Sequence, residues 1–170
     1  MESPTALSSA ELDNLCINTI RFLSVAPEGK PDLILVGTGS EVSLIVRAGK
    51  KLAEEGTEVR IVSMPTWKLF DAQPQSYRDS VLPPSMHARL VVEAGATQGW
   101  CKYVGGEGDV IGVDRFGASA RGEVVMREYG FTVENVCERA MELVHGKRPV
   151  LHQRTVAEAV AVWRNEGDPN

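Results

Sequence analysis

Apolar residues along the chain change their spacing several times, and each change marks an element. Ser8 to Leu23 carries a helical stripe at Leu12, Leu15, Cys16, Ile20 and Leu23, opened by Ser8 and Glu11 at capping-box spacing. Pro27 to Pro31 breaks it. "DLILVG", ending at Gly37, is then a short continuous apolar run, which predicts a strand covered on both faces. A helix follows from Ser40, a good N-cap, with Val42, Ile45, Val46, Gly49, Leu52 and Ala53 toward the core. Lys50/Glu54 and Lys51/Glu55 are spaced as pairs on its wet side, and Gly56 ends it. "TEVRIVSMP" completes a β-α-β unit.

"ARLVVEAG" (88–95) supplies a third strand and Val110 to Val113 a fourth. Between the second and third, a stretch broken by Pro74, Pro83 and Pro84 reads as short helices. Ser119 to Tyr129 is helical with Gly130 as its stop. Another helix runs from Val133 through Val136, Cys137, Ala140, Met141 and Val144 toward Gly146. Val156, Ala159, Val160 and Trp163 make a last stripe. Strands alternating with helices predict an α/β fold, a mainly parallel sheet with helices on both faces.

Length adds that 170 residues suit one domain able to bury about 68–70% of its unfolded surface. A net charge of −5, with no basic cluster longer than Lys147-Arg148 and its flanking His145 and His152, excludes an electrostatic nucleic-acid binder. No segment approaches the ~20 apolar residues of a membrane span, and Met1 to Ala10 lacks the marks of a signal peptide. Cys16, Cys101 and Cys137 are odd in number and far apart, with no zinc spacing. Together these predict a soluble, cytoplasmic protein.

Candidate chemistry is judged against its plainer reading. Gly37-Thr38-Gly39-Ser40 follows a strand and opens a helix, as a dinucleotide cradle does. That fingerprint also needs glycine at 42, where valine stands, and an acid closing the second strand, where Ser63-Met64 stands; Glu58 lies at that strand's start instead. The turn therefore reads as architecture, with Thr38, Gly39 and Ser40 at most a weak anion or ligand corner. Glu93, closing the third strand where open α/β sheets bind ligands, joins them as the acid of first interest. Its plainer role is to cap nearby amides, and Trp100 and Tyr103 beside it suit core or partner surface equally. "GASAR" (117–121) nearly matches a nucleophile elbow, but Arg121 replaces the final glycine and a spacer separates Ser119 from its strand, so Ser119 reads as an N-cap. His87, His145 and His152 form no local constellation to rescue a hydrolase. "GEGD" (106–109) with Asn135 imitates a magnesium motif of thiamine-diphosphate enzymes, but Glu107 holds the aspartate position, and its extra methylene misplaces the carboxylate.

"DLILVGTGSEV", "VRIVSMPTWKLFDAQ", "YRDSVLPP", "ARLVVEAG", "WCKYVG", "DRFGASARGEV" and "YGFTVENV" occur in this order. Together they resemble the C-terminal domain of transketolases and the related dihydroxyacetone synthases, from Pro31 to about Val144. The resemblance implies a five-stranded, mainly parallel sheet. It also implies a module of an enzyme that moves two-carbon ketol units between sugar phosphates. Thiamine diphosphate and magnesium would sit on other domains, so no residue here inherits a catalytic, cofactor or metal role. The expected partner is a chain carrying those domains, a second copy, or both. The expected organisation is an N-terminal extension (1–30), the module (31–145) and a C-terminal extension (146–170). The family usually has proline where Arg121 stands. A stand-alone small-ligand or nucleotide-binding domain, using Gly37–Ser40 and Glu93, is the alternative.

Overall fold

The computed structural model describes Leu23–Ser24 and residues 30–146. The stripes centred on Leu12 and Val156, together with Cys16, Lys147-Arg148 and His152, lie outside the described residues.

A five-stranded sheet organises the chain. Its strands are β1 (Leu23–Ser24), β2 (Leu33–Gly37), β3 (Val59–Ser63), β4 (Arg89–Val92) and β5 (Asp109–Ile111), in the spatial order β1-β3-β2-β4-β5. β2 to β5 are parallel, and β1 pairs antiparallel with β3 through Leu23–Ile61 and Ser24–Arg60. The continuous apolar run at Leu33–Gly37 is explained by its place: β2 is central and every residue of it is buried. Leu23 ends in the edge strand rather than in the helix expected from its stripe, because pairing with β3 outweighs a local periodicity at that position.

Alternating side chains feed two cores. On one face Leu33, Leu35, Ile61 and Leu90 meet α1 (Glu41–Glu54) and α6 (Val133–Val144). On the other, Ile34, Val36, Val62 and Val91 meet α2 (Trp67–Asp71), α3 (Gln75–Val81) and α4 (Cys101–Val104). Seven-residue α5 (Gly122–Glu128) buries no residue fully.

The buried face of α1 is Leu44, Ile45, Ala48, Gly49 and Leu52; Ala53, expected inward, is exposed. A Cβ on Gly49 would lie 2.8 Å from Ile61 Cδ1, so the absent side chain lets α1 press onto β3. Gly56, at φ +87°, closes the helix: its amide bonds the Ala53 carbonyl and that of Thr57 bonds Leu52, the paired bonds of a left-handed stop. α6 starts on a working N-cap, Thr132 Oγ1 accepting from the Asn135 amide at 3.2 Å.

Candidate functional site

β2 and β4 carry the chain to opposite sides of the sheet, and the crevice above their carboxyl ends is where open sheets place ligands. Thr38 leaves β2 and Glu93 leaves β4 at that point. The structure joins them: the Thr38 hydroxyl donates to Glu93 Oε2 at 2.7 Å, across 55 residues of sequence. They line an open cleft of about 490 Å³ together with Pro65, Thr66, Trp67, Lys68, Gly95 and Ala96.

Gly39, at φ +48°, makes the turn into α1. Ser40 occupies the N-cap position but does not cap; its hydroxyl donates to Glu41 Oε1 at 2.7 Å. Glu41 is only 5% exposed, in the first turn of α1, where the helix dipole favours a carboxylate. The amides of Glu41 and Ser43 donate to the carbonyls of Thr38 and Ser40. An anion arriving here meets two carboxylates, Glu41 and Glu93, with the Glu41 and Ser43 amides already engaged. Among the described residues no group of three or more His, Cys, Asp or Glu is placed to hold a metal. The corner does not fit a diphosphate–magnesium group. A carboxylate beside an indole instead suits hydroxyl groups or a cation.

Trp67 carries the aromatic side of the cleft, and no sequence signal singled it out. Its ring meets Trp100 edge-on at 5.1 Å and lies tilted over Tyr103 at 5.8 Å. Gly99, at φ +92°, presses beneath it, for a Cβ there would sit 2.8 Å from the indole. Trp100 and Tyr103 themselves are buried, so they are core rather than partner surface. The Tyr103 hydroxyl donates to Asp71 at 3.1 Å, and Lys102 binds the same carboxylate oxygen at 2.7 Å. Burial first, and the Asp71 bond second, push the Tyr103 phenol up to about 12. The Lys102 hydrogen bond holds Asp71 below the ordinary aspartate range.

The other sequence candidates fall apart in space or serve the fold. Ser119 is exposed and precedes its helix; α5 starts at Gly122 with Arg121 as N-cap, extended at φ −60° and ψ 137°. The helix thus begins later than the pattern of small residues suggests, because Arg121 leaves helical geometry. Asp109 is ion-paired with Arg139, Glu107 is exposed, and Asn135 Nδ2 donates to the Gly130 carbonyl at 2.7 Å. His87 and His145 are exposed. Burial raises the Cys137 thiol, as suits a small core residue, whereas Cys101 is exposed. Arg89 is structural too: its guanidinium donates to the carbonyls of Leu82, Pro83, Met86 and Tyr103 and so ties the loop before β4 to α4.

Comparison with known proteins agrees with this geometry. Residues 22–132 match the family described as the transketolase-like TK C-terminal domain. Transketolase of Geobacillus stearothermophilus is 51% identical over 142 residues, covering 83% of this chain and 21% of that protein. The solved transketolase of Leishmania mexicana is 40% identical at a TM-score of 0.67, over 79% of this chain and 20% of that one. A structure described as a split-gene transketolase, an inactive beta4 tetramer, shares the fold at 19% identity and a TM-score of 0.55, over 70% of this chain and 41% of that one. The chain thus spans about a fifth of the curated transketolase it matches. It belongs to the transketolase-like C-terminal domain family and corresponds to the C-terminal module of a transketolase.

Proposed function

We propose that this chain serves a transketolase-type enzyme as a docking and assembly module, without contacting the reacting atoms. The reaction of the assembled enzyme is transfer of a ketol unit between phosphorylated sugars, with thiamine diphosphate as carbanion carrier and magnesium as its anchor, both held by other domains. One observation carries the reading. The sequence's own candidate corner at the usual ligand end of the sheet is paired internally, Thr38 with Glu93 and Ser40 with Glu41, in a module 51% identical to part of a known transketolase. The working module is residues 31–145, with β1 lent from the preceding stretch, and residues 1–30 and 146–170 are extensions to it. The partner is the portion bearing the cofactor, in the same assembly or on another chain. A self-assembled form is the other outcome, as in the inactive beta4 tetramer of the split-gene transketolase.

The test is a chimaera in which this full chain replaces the matching region of the Geobacillus stearothermophilus transketolase. We expect the chimaera to fold and to transfer ketol units, while the chain alone, given thiamine diphosphate and magnesium, does not. Turnover by the chain alone, or a folded chimaera whose module stays undocked, would overturn the reading.

A second reading rests on the cleft between Glu93 and Trp67: a small polyol or amine seated there. A rise in melting temperature with such a compound, abolished in Gly39→Val and Glu93→Gln, would support it. No shift across polyols, amines, nucleotides and sugar phosphates would remove it.

A further inference from the structure

Phe116 is 99% exposed, yet the loop is anchored through Asp114, Arg115 and the Phe116 carbonyl. Before it, Asp114 accepts from the Thr97 amide at 2.9 Å and from its hydroxyl at 2.6 Å. Arg115 lies over the Tyr129 ring at 3.9 Å and donates to the Glu128 carbonyl at 3.2 Å. Phe116's own carbonyl accepts from the Tyr129 hydroxyl at 2.9 Å. A flexible loop can fold its apolar tip inward; this one is held with the ring in water. Beyond it, Gly117 to Val124 are all exposed, and α5 buries nothing fully. Among the described residues the large exposed apolar side chains are Trp67, Phe116 and Val124, so two of the three fall in this short stretch.

We propose that the Phe116–Val124 face is the surface through which this module docks onto the cofactor-bearing portion of a transketolase; the proposal rests on the reading given under Proposed function. Three observations select that occupant. The family match runs through the whole stretch, so the face belongs to the module and not to an extension. In the Geobacillus stearothermophilus relative the matched region is 21% of the protein, leaving a large body of the same molecule for the module to meet. The polarity of β1 supplies the third. Leu23 pairs with Ile61 and Ser24 with Arg60, so β1 starts nearer the carboxyl end of β3 and runs away from it. Leu23 thus lies toward the end of the sheet at which β2 to β5 finish, on the edge opposite β5. The loop following β5, which carries Phe116, leaves the sheet at that same end.

The chemistry of the face fits a protein contact of this kind. A preorganised aromatic anchor loses little side-chain freedom on binding, and aromatic and arginine side chains, here Phe116 with Arg121, dominate interface energies. The small residues Gly117, Ala118, Ser119 and Ala120 let a partner backbone approach closely. Charge is balanced across residues 114–128, Asp114, Glu123 and Glu128 against Arg115, Arg121 and Arg127, so the matching surface is an apolar pocket with no strong charge of its own.

The experiment uses the chimaera described above with a protease site placed just ahead of this chain. After cleavage, retention of the chain on the remainder is measured by size exclusion over a dilution series, for the natural sequence, for Phe116→Asp, and for Lys50→Glu on the far helix as control. The expected result is retention of the natural and Lys50→Glu forms and a weakening of roughly 30-fold or more in Phe116→Asp, the effect of losing an aromatic anchor. The isolated Phe116→Asp chain should keep its melting temperature, which separates docking from folding. Equal retention of all three overturns the proposal while leaving the module reading intact. Loss of the natural form overturns both. If the isolated chain dimerises, Phe116→Asp abolishes the dimer and retention is unchanged, the face belongs to a second copy and the proposal falls.

Discussion

Two aromatic residues sixteen positions apart, Trp100 and Phe116, follow the last two strands of the same sheet and meet opposite fates. Trp100 is 1% exposed, wedged among Trp67, Tyr103 and the β2–β4 core. Phe116 stands in water on a loop braced by Asp114, Arg115 and Tyr129. Both environments are ordered, and the difference lies in what completes them. The corner near Trp100 pairs Tyr103 and Lys102 with Asp71 and buries Trp100 and Tyr103, leaving Trp67 partly open. The Phe116 stretch pairs the side chains of Asp114 and Arg115 and the Phe116 carbonyl, and leaves its apolar surface for something else.

The sharpest way to break that comparison is to shorten each ring in the isolated chain. Trp100→Ala should cost about 3–5 kcal/mol, the range for emptying a large buried aromatic site. Phe116→Ala should leave the urea midpoint unchanged. A comparable loss in both would mean that Phe116 already has a partner within the chain. Next in size is Tyr129→Phe, which removes the bond to the Phe116 carbonyl and should cost about 0.5–1.5 kcal/mol in urea unfolding. It should also speed amide exchange in the loop, and an unchanged exchange pattern would show that the hydroxyl is not the brace.

A smaller effect of opposite sign is expected from Arg121→Pro. The φ of −60° already suits proline, so restricting the unfolded chain should stabilise by about 0.4–1 kcal/mol. A loss of stability would mean that the conformation of this N-cap is misassigned.

The last test is pH. Hydrogen bonds from Thr97 hold Asp114, and the bond from Lys102 holds Asp71, below the ordinary aspartate range. The unfolded chain therefore binds these protons more readily. Their contribution is full above about pH 4 and is lost as pH falls through the lowered folded values. Asp114→Asn should flatten the acid limb of a stability–pH profile through the exposed loop, and Asp71→Asn through the aromatic corner. At the other extreme, Tyr103 should ionise near pH 12, destabilising the fold as pH rises from 10 toward that value, and Tyr103→Phe should remove the late step from an ultraviolet titration.

These contrasts also mark what the amino-acid pattern could reveal. β2 was legible because a central parallel strand is apolar throughout, and Gly56 and Gly130 were legible as stops because only a left-handed residue closes a helix in that way. The pairing of Thr38 with Glu93 was half legible: the carboxyl ends of both strands were visible, but not the bond across 55 residues. Two-residue β1 offers too short a window for any period, and a neighbouring helical stripe claimed Leu23. The start of α5 was misplaced because Ala118 to Arg121 look acceptable in a helix, while the decisive fact is a backbone angle at Arg121. Exposure was the hardest to read. Nothing in "PTW" or "DRFG" says that one tryptophan walls a cleft and one phenylalanine faces solvent, since both follow from how distant loops brace each other.

The central position of β2 has a consequence for synthesis. Its neighbour β3 pairs with it from 26 residues downstream, but β4, which covers its other edge, begins 55 residues beyond Ile34. At ribosomal rates of about 5–20 residues per second, that edge of "LILVG" waits roughly 3–11 s for its partner. During that interval an apolar strand offers unpaired backbone groups to any passing chain. The order in which the polypeptide emerges thus makes the nascent module a natural client for chaperones, and slowed translation between Ser63 and Arg89 should lengthen its exposure to aggregation.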